Sequence, residues 1–295
     1  MRAPLSLTLL MLCSTAFAAE PRIHRGLAYV EPHEHRHTLD VYNSTESKNN
    51  PVVVWIHGGG WQRGDKSDVA TKPWTFVERG SVFVSINYRF IPNVTMKQIA
   101  QDVAKAIRWS HDHASSYGGD PDTMFLMGHS AGASLTALVC TDDKYLKAEG
   151  LSLAILKGCV PVDGDAYDVP MQIQSVEQRR AESFTMKFGD AASQKDLSAV
   201  THIAKGKNIP PFLILHVADP KGAAMQRGSA GSPCCPETDV QSQRLAKALD
   251  GAGVPAKVFP AKGKNHTTLD AELGLPGDEA TKVLFEFLDE VLQQR

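Results

Sequence analysis

Apolar positions along this chain follow two alternating rhythms. Pro51-Val52-Val53-Val54-Trp55-Ile56, Gly80-Ser81-Val82-Phe83-Val84-Ser85-Ile86, Thr123-Met124-Phe125-Leu126-Met127 and Pro211-Phe212-Leu213-Ile214-Leu215-His216-Val217 are short, nearly unbroken apolar runs. Runs of this length without polar alternation mark strands covered on both faces, as in a parallel sheet. Gly26 to Val30, Thr38 to Tyr42, Leu151 to Leu156 and Ala256 to Phe259 read as further strands. Between them the period lengthens. From Thr95 to Tyr117 the apolar residues Ile99, Val103, Ala106, Ile107 and Ala114 recur at helical spacing, and Gly118-Gly119-Asp120-Pro121 ends the helix. Ser67 to Arg79 has room for a crossover helix, while Ala133 to Val139, Val240 to Asp250 and Glu279 to Leu292 read as further helices. Strands alternating with helices predict an α/β fold, a mostly parallel central sheet with helices on both faces. Its ligand site belongs at the carboxyl ends of the strands.

Two glycine-rich stretches fall at such ends. Gly128-His129-Ser130-Ala131-Gly132 has the G-x-S-x-G form between a strand and a helix. A serine on that turn projects its hydroxyl from the sheet edge, and a β-carbon on either flanking glycine would clash with strand or helix. His57-Gly58-Gly59-Gly60-Trp61 directly follows the strand ending at Ile56. Three glycines let backbone N–H groups approach a ligand unobstructed, and a histidine before them can brace the loop. A serine needs a base, and the base needs an acid to fix its tautomer. His266, in the polar loop Lys262-Gly263-Lys264-Asn265-His266-Thr267 after the last strand, is the expected base. His129, on the elbow itself, is expected to point away, and His216 lies inside a strand. Asp219, just past the strand ending at Val217, is the expected acid. Asp239 is a rival at the start of the next helix, where capping is its ordinary role.

Together with Ser85-Ile86-Asn87-Tyr88-Arg89, these stretches resemble the α/β-hydrolase superfamily, in particular the hormone-sensitive-lipase-like and feruloyl-esterase-like carboxylesterases. The likeness runs from about Pro51 to the C-terminus. It implies an ester hydrolase working through an acyl-enzyme, with the triad Ser130, Asp219 and His266 and an oxyanion hole made by the N–H groups of Gly58 or Gly59 and of Ala131. Such donors each contribute about 2.7–4 kcal/mol to the transition state. The chain departs from the pattern at Lys221 to Pro236, a loop longer than that connection requires. The reaction needs no cofactor and no metal, and the partner is a small-molecule ester. An amidase, formamidase or peptidase uses the same triad. A hydrolase fold kept as a binding protein is the alternative outside enzymology, distinguished by the absence of turnover.

Composition and charge narrow the setting. The 295 residues are 42% hydrophobic, enough for a sizeable core, and a formal net charge of −2 without a basic stripe excludes nucleic acid as an expected partner. Met1-Arg2, the apolar run Leu5 to Leu12 and Ala16-Phe17-Ala18 form the three parts of a secretory signal peptide, residues 1–18, too short to span as an anchor. Residues 19–295 are then the hydrolase domain of a secreted or periplasmic protein. The Asn265-His266-Thr267 sequon on the expected base favours bacterial export, because a glycan there would block the site.

Other features leave alternatives open. Cys140 and Cys159 read as buried small apolar residues, and Cys234-Cys235 as a pair in a loop that can staple it. His33-Glu34-His35-Arg36-His37 reads as a solvated hairpin before a metal chelate. Residues 163–208 exceed one connecting helix, so Phe184, Met186 and Phe188 either line a pocket under a small cap or serve as ordinary core.

Overall fold

A computed structural model describes residues 21–32, 34–45, 48–218 and 237–294. The signal-peptide segment, the Cys234-Cys235 pair and Asp219 lie outside the described residues. Eight strands form one sheet: β1 (Pro21–Ala28), β2 (Thr38–Ser44), β3 (Asn50–Ile56), β4 (Val82–Ile86), β5 (Gly119–His129), β6 (Leu156–Val162), β7 (Phe212–Val217) and β8 (Ala256–Ala261). Their spatial order is β1-β2-β4-β3-β5-β6-β7-β8. The β1/β2 and β2/β4 pairs are antiparallel and every other pair is parallel.

The helices are α1 (Lys72–Glu78), α2 (Met96–His113), α3 (Ala131–Thr141), α4 (Lys144–Ala148), α5 (Val169–Ser175), α6 (Gln178–Phe188), α7 (Ala191–Asp196), α8 (Thr238–Gly251), α9 (His266–Glu272) and α10 (Glu279–Gln293). Helix α2 starts at a capping box in which Thr95 and Gln98 satisfy each other's backbone N–H groups.

Strand alternation divides the core in two. Val52, Val54 and Ile56 of β3 pack with Ile99 and Val103 of α2, with α3, and with Leu245 and Leu249 of α8. Val53 and Trp55 face the other way, toward Phe76 of α1, Leu269 of α9 and Leu284 of α10. The continuous apolar runs are therefore strands buried on both faces, and the mostly parallel sheet with helices on both faces expected from them is present. No helix among the described residues is long and apolar enough to cross a membrane.

One strand is displaced from its expected place. Leu151 to Leu156 does not form a strand: Leu153–Ile155 is a turn of 3₁₀ helix, and pairing with β5 begins at Leu156 and runs to Val162. Gly158 and Pro161 dilute the β pattern there, while Leu151, Leu153 and Ile155 are buried as a connector. The shift matters because it moves the carboxyl end of β6 to Val162, next to Asp163. Cys140 and Cys159 are both free and buried.

Candidate active site

The turn after β5 forces Ser130 into an unusual conformation, φ 57° and ψ −118°. Positive φ in a residue with a side chain stores strain, of order 1–3 kcal/mol, and persists only where neighbours fix it. Here they do. The Ser130 N–H donates to Val162 O at 2.9 Å. A β-carbon at Gly128 would lie 2.6 Å from Gly132 O, and one at Gly132 only 2.1 Å from Ile56 O. Both glycines of the G-x-S-x-G turn are thus required by close backbone approach.

The Ser130 hydroxyl lies 2.9 Å from His266 Nε2, and His266 Nδ1 lies 2.6 Å from Asp163 Oδ2. The other Asp163 oxygen accepts the Val217 N–H at 3.0 Å. Burial alone would push the Asp163 carboxyl up, but its bonds from His266 and Val217 hold it below the usual carboxylate range. Burial works against a charged His266 as well, yet the Asp163 carboxylate outweighs it and raises the imidazole above its ordinary value.

The contact expected of Asp219 is thus made by Asp163. This carboxylate comes from the end of β6, with Asp163 itself at φ 53° on a tight corner. Its sequence signal was an aspartate directly after Val160-Pro161-Val162, concealed by placing the strand too early. Asp239 does not approach His266. It sits in the first turn of α8, its carboxylate 3.6 Å from His216.

His129 does not point away. Its ring stands 4.4 Å from that of His266, and its Nε2–H donates to the His266 backbone O at 2.9 Å. Burial pushes its pKa down to about 4, which keeps it neutral. Behind it, Asp270 of α9 pairs with the fully buried Lys72 of α1, whose Nζ lies 2.8 Å from the carboxylate and 2.6 Å from the Asp270 backbone O. The helix that begins with His266 is therefore fastened from two sides.

The glycine loop meets the serine directly: a β-carbon at Gly58 would sit 3.1 Å from that of Ser130. Among the described residues, the backbone N–H groups of Gly58, Gly59 and Ala131 donate to no protein atom. Ala131 opens α3, whose N-terminus adds its partial positive charge beside Ser130. A cleft of about 290 Å³ lies beside them, lined by His57, Gly58, Gly59, Arg63, Gly64, Asp68, His129 and Asp270.

His57 braces this loop from below. Its Nδ1–H donates to Gly58 O at 2.6 Å, and its ring stacks on Tyr88 at 4.4 Å. The Tyr88 hydroxyl donates to His57 O at 3.0 Å. Arg36, from the run read as a solvated hairpin, donates to His57 Nε2 at 3.2 Å and to Gly64 O and Asn87 Oδ1, both at 3.0 Å. It also reaches Tyr88 O at 3.1 Å and Asp65 Oδ2 at 3.2 Å. Burial, with Arg36 adding to it, lowers the His57 pKa to about 4. His37 of the same run turns to Asp102 at 3.1 Å, a carboxylate shared with Arg89.

A possible cation position formed by Asp142, Asp196 and His202 stands at the far end of α3 from Ser130. The Lys144 ammonium, 2.7 Å from each of the two carboxylates, already fills it.

With this geometry the chain compares with known proteins as follows. The BD-FAE family model matches residues 39–226. The chain belongs to the BD-FAE family. A probable carboxylic ester hydrolase of Mycobacterium tuberculosis, LipM, is 33% identical over 178 residues, which cover 56% of this chain and 40% of that protein. A probable isoprenylcysteine alpha-carbonyl methylesterase of Arabidopsis thaliana is 27% identical over 250 residues, 79% of this chain and 55% of the relative. The chain thus spans about half the length of these curated relatives. Among solved structures, an inhibited esterase B of Lactobacillus rhamnosis superposes with a TM-score of 0.72 at 21% identity, over 93% of this chain and 88% of that one. A thermophilic esterase of Thermogutta terrifontis superposes with a TM-score of 0.65 at 22% identity, over 94% and 92%. These two likenesses show the α/β-hydrolase fold, which this BD-FAE member shares.

Proposed function

We propose that the protein is an exported serine carboxylesterase that works through an acyl-enzyme. The observation that carries this reading is the unbroken line from Ser130 Oγ through His266 to Asp163, at 2.9 and 2.6 Å. Ser130 attacks the ester carbonyl as His266 Nε2 takes its proton. The tetrahedral oxyanion is held by the N–H groups of Gly58, Gly59 and Ala131. His266 then returns the proton to the departing alcohol oxygen, the C–O bond breaks, and water repeats the sequence to release the acid. Asp163 holds the Nδ1–H tautomer throughout and stabilises the imidazolium. The names of the M. tuberculosis and A. thaliana relatives support ester hydrolysis as the reaction class. Export rests on the pattern of residues 1–18.

A fluorophosphonate label tests the chemistry. Intact mass should show one adduct on the wild type and none on Ser130→Ala, and the same spectrum reads whether the mature chain starts after Ala18. Two folded proteins without adduct would sink the proposal. Turnover of aryl amides but no ester would move it to an amidase.

A further inference from the structure

Helix α6 lies over the glycine loop. Phe184 and Phe188, one helical turn apart and therefore on one face, meet Trp61 edge-on at centroid distances of 6.2 and 5.1 Å. Met186, between them in sequence, is 79% exposed, so it belongs neither to a pocket nor to the core. Lys187 is on the loop side. Its Nζ stands 5.5 Å from the Trp61 ring centroid, 6.0 Å from that of Phe184, and 4.0 Å from where a β-carbon on Gly60 would sit.

This ammonium is half-buried and makes no ion pair within the described residues. The nearest charges are spoken for. Asp165, which favours its charged form from a distance, binds Arg180 at 2.7 Å, and Arg180 also holds Glu237 at 2.8 Å. Burial pulls the Lys187 pKa below its ordinary value, so the charge is held there at a cost that the aromatic faces offset in part. A lysine needed only to cover aromatic rings can extend its head into water. This one instead keeps its head beside the third glycine of the loop.

We propose that Lys187 is a specificity residue that receives a carboxylate carried by the substrate, so that the preferred esters are half-esters of short dicarboxylic acids. Gly60 follows the oxyanion donor Gly59 by one backbone step, about 3.8 Å, and the ammonium stands a further 4.0 Å from the β-carbon position of Gly60. A short spacer between scissile carbonyl and carboxylate bridges such a separation. The proposal rests on the esterase reading and extends it to a substrate class.

The test compares monoethyl succinate with its uncharged isostere ethyl 4-methylpentanoate, followed by acid release at constant pH. In the wild type, kcat/KM should favour the succinate ester. Lys187→Met should lower that ratio about tenfold or more, mainly through KM of the charged ester. Lys187→Arg should retain most of it. A ratio equal in the wild type and Lys187→Met overturns the proposal. Should neither ester be hydrolysed, the fluorophosphonate adduct decides the esterase reading separately, and calorimetry with Ser130→Ala still reads the contact. Monoethyl succinate binding about tenfold more weakly to Ser130→Ala/Lys187→Met than to Ser130→Ala supports the assignment, and equal binding refutes it.

Discussion

Two histidines at the carboxyl rim of the sheet show how the same side chain is set to opposite tasks. His57 follows β3 and His266 opens α9 beyond β8, and each has one ring nitrogen facing a charged group. For His57 that group is the Arg36 guanidinium, which adds to burial, the larger cause, in taking the pKa to about 4. For His266 it is the Asp163 carboxylate, which overcomes burial and raises the pKa above 6.5. An imidazole kept neutral is a strut, whereas one whose charged form a carboxylate favours accepts a proton. The sign of the neighbouring charge, more than depth in the protein, separates brace from base.

The comparison breaks most severely at the reacting groups. Ser130→Ala or His266→Ala should each cost about 10⁶-fold in kcat on an activated ester, by analogy with other serine triads. Asp163→Asn comes next, with a loss of about 10⁴-fold from the wrong tautomer. It should also move the pH profile. His266 must be neutral to act, and its pKa is raised, so wild-type kcat/KM should fall as pH drops through a midpoint above 6.5. Removing the carboxylate lowers that midpoint. Asp219→Asn should do neither, and an Asp219→Asn loss as large as that of Asp163→Asn would return the acid to the end of β7.

On the brace side the effects are smaller. Arg36→Met should lower kcat by up to about 10²-fold with a lesser change in KM, because a loosened glycine loop misplaces the oxyanion donors. In the same variant the His57 pKa, followed by NMR, should rise from its value of about 4. A kcat unchanged by Arg36→Met would reduce the network to structural filling. The smallest effect belongs to the outer face of α6, where Met186→Lys should change stability by no more than about 0.5 kcal/mol in denaturant unfolding.

The elements legible in the sequence are those whose signal is local. β3 and β4 are continuous apolar runs, and the Ser130 turn announces itself in five consecutive residues, although the contact that requires Gly132 is with Ile56 on β3. Asp163 escaped because its meaning depends on where β6 ends, and a 3₁₀ turn at Leu153–Ile155 imitates the start of that strand. Arg36 escaped for another reason. Its partners His57, Gly64 and Tyr88 lie 21, 28 and 52 residues away along the chain. Nothing in a run of alternating charged and imidazole side chains distinguishes a surface hairpin from a cation turned inward beneath a distant loop.

The position of Arg36 separates two ideas of what a catalytic unit is. The stretch shared with the family begins at residue 39, beyond Arg36. A chain trimmed to residues 39–226 would keep Ser130, Asp163 and the glycine loop and lose His266, and adding the C-terminal part back would return it. It would still lack the guanidinium under the glycine loop. The side chain that braces the loop comes from the connection between β1 and β2, so the matched stretch by itself does not contain all that holds the loop in place.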